Sequence, residues 1–251
     1  MVIDMTKEEI KQILEKQLAL DYDCSVEEVQ SSNNVFKPWK RNAGARFIGD
    51  EDCMLKIAVY REKLLVMADF KLLEWCKQIF EKTRGTWLAE PENLIMIHEK
   101  LDEYGQKLVD THHHYLPMLH CPKTEERFEV RWYEKEEIKV FQGDKRFWEA
   151  LLFDERTPDM LAVCAVENDV ILGMASVTRD CEKMWQIGVN VTKEGAGKGV
   201  GAYVTSLLKE RVMERGIVPF YSTVESHIKS QKVAFQAGFE PAFYELFSAV
   251  K

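Results

Sequence analysis

The sequence predicts an α/β protein of the α+β type: two domains, the second carrying a mixed, mostly antiparallel sheet with flanking helices, the first a smaller α/β unit. Three observations lead there. Its 251 residues correspond to ~1.7 domains at ~150 residues each. The first half mixes helix-period segments with paired apolar runs. The second half carries strand-like runs followed by the order strand, glycine loop, helix, strand, helix, strand.

Taken in order, Thr6-Lys7-Glu8-Glu9 is a capping box, and Ile10, Ile13, Leu14 and Leu18 continue from it on one helical face. Ser25-Val26-Glu27-Glu28 repeats the signature for a short second helix. After a polar stretch containing Pro38 and Gly44, the runs Met54 to Tyr60 and Leu64 to Ala68 read as strands joined by Arg61-Glu62-Lys63. Helical spacing over 72–82 and 94–104 ends at Gly105, which takes the C-cap position. Pro117 and Pro122 bracket a non-helical stretch ahead of the charged Lys123-Thr124-Glu125-Glu126, so a domain boundary is expected at 122/123, dividing the chain into 1–122 and 123–251.

The second half starts with a strand over 127–133 and a helical region that includes 147–153. Met160 to Val166 and Val170 to Val177 form an apolar hairpin across Glu167-Asn168-Asp169. A strand over 184–191 leads into the glycine loop. The helix after it places Val200, Tyr203, Val204, Leu207, Leu208 and Val212 at the 3.6-residue period and ends at Arg215-Gly216. Strand 220–224, helix 228–237 and strand 242–250 complete the order.

Composition excludes several classes. Hydrophobic residues at 46 % and charged residues at 30 % are near the globular average, against a disordered, collagen-like or disulfide-stapled chain. The formal charge of −8 is divided evenly between the halves and no basic cluster stands out, which argues against nucleic acid as a partner. Six scattered cysteines without a Cys-x-x-Cys fit free thiols in a reducing compartment. Asp4, Lys7, Glu8 and Glu9 stand where a signal peptide needs an apolar run, and the run Met160 to Val166 is too short for a bilayer, so a cytoplasmic protein without a membrane partner is expected. Thr111-His112-His113-His114-Tyr115, near His120 and Cys121, lets at most His112 and His114 share an ion on a strand, and no third ligand has a fixed spacing; no metal is expected. The tryptophans Trp75, Trp87, Trp132, Trp148 and Trp185 read as core.

Chemistry concentrates in Gly195-Ala196-Gly197-Lys198-Gly199-Val200-Gly201, with four of the thirteen glycines between a strand and a helix. Glycines there bring backbone close to a ligand, and first-turn amides with the helix dipole favour a phosphate. A Walker A loop needs Ser or Thr after Gly-Lys, and Gly199 stands there. Gly197-x-Gly199-x-x-Ala202 fits the dinucleotide fingerprint, but too little chain follows for the parallel sheet that fingerprint opens.

The run from Ile187 to Gly201 resembles the acetyl-CoA loop of the GNAT superfamily of N-acetyltransferases, Arg/Gln-x-x-Gly-x-Gly/Ala. Gly199 and Gly201 match its glycines; Ala196 stands at the Arg/Gln position. His227 to Phe239 is similar to the superfamily's second motif, with Ser230, Gly238 and Phe239 matching and His227 in place of Asn. The resemblance covers about residues 127–250. It implies a GNAT sheet, the backbone of Val189 and Val191 along the pantetheine arm, and Gly197, Lys198, Gly199, Val200, Gly201 and Ala202 at the pyrophosphate, with Ser230 as a further cofactor-side residue. It also implies the Val189 amide as oxyanion donor. The helix position that often carries a Tyr acid is Ala234, and the strand position often occupied by Glu is Gln186. Glu225, His227 and Tyr221 are the substitutes nearby, with water as a relay. The order hairpin, helix, helix, strand in the first half is similar to the end of such a unit and implies a degenerate second copy on the acceptor side.

These features lead to the expectation of an acetyl-CoA-dependent N-acetyltransferase acting on a primary amine of a small molecule, towards which −8 is a long-range, salt-screened bias. The alternatives are a non-catalytic CoA-binding or regulatory module, in view of Ala196, Ala234 and Gln186, and then a dinucleotide enzyme. Oligomeric state is not legible; a homodimer stays open.

Overall fold

A computed structural model describes residues 5–47, 52–119 and 125–251. Helix α1 (Lys7–Asp21) starts at the expected box: the Thr6 N–H donates to Glu9 Oε2 at 2.7 Å and the Glu9 N–H to Thr6 Oγ1 at 3.2 Å. Helix α2 (Val26–Gln30) is capped reciprocally by Ser25 and Glu28. Within the stretch expected to be polar loop lies β1 (Val35–Pro38). Strands β2 (Leu55–Tyr60) and β3 (Lys63–Ala68) turn through Arg61 and Glu62, at φ 53° and 65°, the pair of left-handed residues a two-residue hairpin needs. Helix α3 (Phe70–Phe80) begins where Asp69 accepts from the Lys71 N–H, and α4 (Pro91–Asp102) has proline in its first turn. Gly105, at φ 68°, leads into β4 (Gln106–Pro117).

Strand β5 (Glu129–Glu134) is followed by 3-10 turns at Glu137–Phe141 and Lys145–Phe147. The expected helical region over 147–153 is a correction, since only Phe147 lies in one of those turns. Asn190 Oδ1 takes the N–H groups of Glu149 and Ala150, the Asp159 carboxylate takes those of Leu152 and Phe153, and Phe153 sits at φ 51°. Side chains have claimed the donors that helix continuation needs. Then come β6 (Asp159–Glu167), β7 (Val170–Arg179), β8 (Met184–Val191), α5 (Val200–Glu214), β9 (Val218–Thr223), α6 (Ile228–Gln236) and β10 (Phe239–Val250).

The chain forms two compact units, Met1–Ile13 with Tyr115–Pro241, and Leu14–His114 with Ala242–Lys251. The expected boundary at 122/123 lies outside the described residues; the units part between His114 and Tyr115, residues through Ile13 go with the second-half unit, and the last strand goes with the first-half unit. From Tyr244 to Phe247, β10 pairs antiparallel with β2, so hydrogen bonding assigns residues 242–251 to the first-half unit. That unit has the strand order β1-β3-β2-β10-β4, with β1 parallel to β3. Its apolar core joins Leu55, Ile57, Leu64 and Val66 to Leu72, Cys76 and Phe80 of α3 and Ile97 of α4.

In the other unit the order is β9-β8-β7-β6-β5, antiparallel except for β8 with β9. Alternation along β6 sends Leu161, Val163 and Ala165 to the face under α5 and α6, and Ala162, Cys164 and Val166 to the face under Phe141, Phe147 and Leu151. Both faces are buried, hence the continuous apolar runs of β6 and β7.

Within Leu14–His114 and Ala242–Lys251 lies a buried polar cluster with no sequence signature. Arg46 Nε donates to Asp21 Oδ2 at 2.6 Å and its Nη2 to Glu245 Oε1 at 2.8 Å, all three side chains being at most 4 % exposed. Tyr22 Oη donates to Glu245 Oε1 at 3.0 Å, His114 Nε2 meets Glu245 Oε2 at 3.1 Å, and Lys56 Nζ donates to the Asp21 carbonyl. The adjacent His113 lies against Tyr244, while His114 stacks on Phe243. Although burial opposes its charge, Glu245 is held well below the carboxylate range by Arg46 and His114; burial lowers His114 from 6.5. Both groups bind protons more readily unfolded, so each contributes stability that is lost as pH falls. Urea unfolding as a function of pH is expected to show stability declining below about pH 6.5 as unfolded histidine titrates, and declining further below about 4.5 as unfolded glutamate does. A flat profile between pH 7 and 4 contradicts this.

Candidate functional site

Strands β8 and β9 run parallel and paired only from Met184↔Val218 to Ile187↔Tyr221, whereas β8 stays paired with β7 as far as Val191↔Gly173. Beyond Ile187 the β9 side of β8 has lost its partner. The Thr192 N–H donates to Leu172 O of β7 at 2.9 Å. Period-two alternation then turns the backbone groups of Val189 and Val191 away from β7, into the opening. Both residues pointed out from the sequence therefore present N–H and C=O groups without a partner among the described residues where the strands part.

The loop that follows is tied down behind the opening. Thr192 Oγ1 donates to Leu172 O at 3.0 Å, and a Cβ on the buried Gly195 would lie 2.1 Å from that same carbonyl oxygen. Gly197 and Gly199 take φ 76° and 73°, a region L side chains enter at a cost of ~1–2 kcal/mol. In the loop, the N–H groups of Gly195, Ala196 and Lys198 donate to Thr192, Lys193 and Gly195 carbonyls. Among the described residues nothing accepts from the N–H groups of Gly197, Gly199, Val200, Gly201 and Ala202. Those five converge on the N-terminus of a 15-residue helix, where unpaired donors and the dipole favour an anion.

Two cations flank the loop, and they differ from the sequence reading. Lys198 sits on Glu167, Nζ to Oε2 2.6 Å. Arg127 lies over the loop instead: its Nη2 donates to Lys198 O at 3.0 Å and its Nη1 would be 3.2 Å from a Cβ on Gly199. By donating to that carbonyl, Arg127 occupies the acceptor that the Ala202 N–H would otherwise use. It stands 71 residues from Lys198, so nothing in the local motif points to it.

Of the other residues singled out, Tyr221 and Ser230 are brought together, hydroxyl to hydroxyl 2.8 Å. Burial raises the Tyr221 phenol to about 12, so it is protonated at neutral pH. Tyr115 packs edge-on against Tyr221 and Phe235, and its own phenol is raised by burial and by the nearby charge of Glu225. Glu225 is half-buried, its carbonyl accepting from Gln231 Nε2 at 2.6 Å. His227 is exposed at the start of α6 without a side-chain cap, and Gln186 pairs in register with Phe220. Since Ile187 and Tyr221 share the α5–α6 face, Gln186 is on the opposite face from Tyr221. Ala234 is fully buried. The four candidate catalytic residues thus do not form one cluster.

The opposite face holds a group missed in the sequence. Gly188 has no room for a Cβ, which would lie 2.0 Å from the Glu149 carbonyl oxygen, and Asn190 Oδ1 accepts from the N–H groups of Glu149 and Ala150 at 2.9 and 2.8 Å. Glu149 is thereby fixed beside the point where β8 and β9 part.

Among the described residues no helix is long and apolar enough to cross a membrane, and no group of three His, Cys, Asp or Glu is arranged to hold a metal. No family model and no curated protein matches the chain. Solved structures do resemble it. An acetyltransferase of the GNAT family from Colwellia psychrerythraea is 13 % identical, with 98 % of each chain covered and a TM-score of 0.47. A GCN5-related N-acetyltransferase-like protein from Streptococcus suis is 13 % identical over 96 % of this chain and 98 % of that one, with a TM-score of 0.47. A tandem GNAT protein from the clavulanic acid biosynthesis pathway is 15 % identical over 59 % of this chain and 56 % of that one, with a TM-score of 0.45. These likenesses are remote, and the assignments below rest on the chain's own residues.

Proposed function

We propose that the chain is an acetyl-CoA-dependent N-acetyltransferase acting on a primary amine of a small molecule. The observation that carries this is the continuity of two features: the strand opening beside Val189 and Val191 leads directly into a loop with five unpaired N–H groups at a helix N-terminus. An extended arm ending in a diphosphate fits that sequence of donors. The backbone of Val189 and Val191 would hold the arm as an added strand does, and the amides of Gly197 and Gly199 to Ala202, with Arg127, would hold the diphosphate. Acetyl-CoA supplies the activated acetyl thioester. The acceptor nitrogen must lose a proton and the departing sulfur gain one. Tyr221, protonated and anchored by Ser230, is suited to the second task, and the Val189 N–H to binding an oxyanion.

Release of free thiol from acetyl-CoA across a panel of primary amines tests the reading. Amine-dependent release supports a transferase. Saturable acetyl-CoA binding without release for any amine supports the non-catalytic binding module that Ala234 and Gln186 suggest. Arg127→Ala is expected to weaken coenzyme A binding about tenfold, the size of one charge-assisted contact at an exposed site, with the thermal midpoint nearly unchanged. Unaltered affinity in that variant removes Arg127 from the site.

A further inference from the structure

Residues 148–153 present apolar side chains to water on a backbone that cannot easily move. Trp148, expected in the core, is instead 66 % exposed, as Trp87 is at 56 %; Leu152 is 54 % and Phe153 38 % exposed, while Phe147, Ala150 and Leu151 between and beside them are buried in the core under this face. Asn190 grips the N–H groups of Glu149 and Ala150, and Asp159 those of Leu152 and Phe153 at 3.2 and 2.8 Å. Phe153 is held at φ 51°, a conformation aromatic residues keep only when the surroundings impose it. An apolar ridge fixed in this way loses little further entropy on meeting a ligand, which favours binding.

Glu149, also exposed, lies between Trp148 and Leu152 in the chain. No lysine or arginine among the described residues pairs with its carboxylate, and the Asn190 Nδ2 contact to it is long, 3.5 Å. By contrast Glu129, Glu134, Glu136 and Glu167 on the same unit each hold a cation. The Glu149 charge also acts on Tyr221, raising its phenol, so the carboxylate is within electrostatic reach of the last paired residue before the opening. Glu149, its backbone held against Gly188 and Asn190, thus stands beside the point where β8 and β9 part, with Trp148, Leu152 and Phe153 on either side of it in the chain.

We infer that the acceptor is a cationic primary amine on an apolar, aromatic body, its ammonium received by Glu149 and its body by Trp148, Leu152 and Phe153. This rests on the transferase reading and narrows its substrate class. The carboxylate selects charge and the exposed apolar residues select an apolar ring, so small hydrophilic amines are poor acceptors.

The test is calorimetric binding of phenethylamine to the full chain with coenzyme A present, using phenethyl alcohol and ethylamine as probes of charge and of ring. Wild type is expected to prefer phenethylamine over both by at least about tenfold. Glu149→Gln should lose the preference over the alcohol, Glu149→Asp should keep part of it, and Trp148→Ala should lose the preference over ethylamine, all with coenzyme A affinity unchanged. A wild type that binds coenzyme A but shows no such preference, or a Glu149→Gln variant that keeps it, overturns this inference alone. A wild type that does not bind coenzyme A overturns the transferase reading, and this inference with it.

Discussion

Gly199→Val is expected to weaken acetyl-CoA binding at least about a hundredfold, ~2.7 kcal/mol, while the protein stays folded. At φ 73° valine is strained, and its Cβ would stand 3.2 Å from Arg127 Nη1. The loop relieves both by rotating the peptide units around 199 and pushing Arg127 off the Lys198 carbonyl. The first-turn amides then no longer point to one place, and hydrogen bonds to a charged group are each worth ~1.5–3 kcal/mol, so losing two accounts for the effect. Gly199 is exposed and outside the core, so the thermal midpoint should fall by only a few degrees. Titration calorimetry of the variant checks this; affinity equal to wild type would mean that the loop does not hold the diphosphate.

Arg46→Met should destabilise the protein by ~3–5 kcal/mol, because it leaves two buried carboxylates facing each other without their shared cation. Asp21 and Glu245 are both within 2.8 Å of the guanidinium and at most 4 % exposed, so water cannot take its place. At ~2–4 °C per kcal/mol for a chain of this size, the thermal midpoint should fall by about 10 °C or more. Adding Glu245→Gln to Arg46→Met should recover part of the loss, since the carboxylate left without its cation is what costs most. A single variant that melts with wild type would show that the cluster does not stabilise the fold.

What the sequence made legible was local. The boxes at Thr6 and Ser25, the turns within Arg61-Glu62-Lys63 and Glu167-Asn168-Asp169 and the glycine loop each rest on neighbouring residues and are found there, the turns being one residue shorter because Lys63 and Glu167 belong to the strands. Where distant residues decide, the sequence was silent. Phe147 and Leu151 have helical spacing, and the Leu151 N–H does donate to Phe147 O, but Asn190 claims the amides of Glu149 and Ala150 between them and Asp159 those of Leu152 and Phe153 just after. β1 is a strand because β3 offers it a parallel edge, and β10 belongs with β2 through ladder bonds nearly two hundred residues apart in sequence. At the candidate site the same rule holds. The amides were readable from Gly197 and Gly199, whereas Arg127 reaches the loop from 71 residues away and Glu149 reaches β8 from 41 residues before Asn190.

Titrating acetyl-CoA into the unaltered chain tests the central claim most directly. The splayed strands and the loop amides predict saturable binding of one acetyl-CoA per chain, competed by coenzyme A and lost in Gly199→Val. No detectable binding at millimolar acetyl-CoA, or binding indifferent to Gly199→Val, would contradict it.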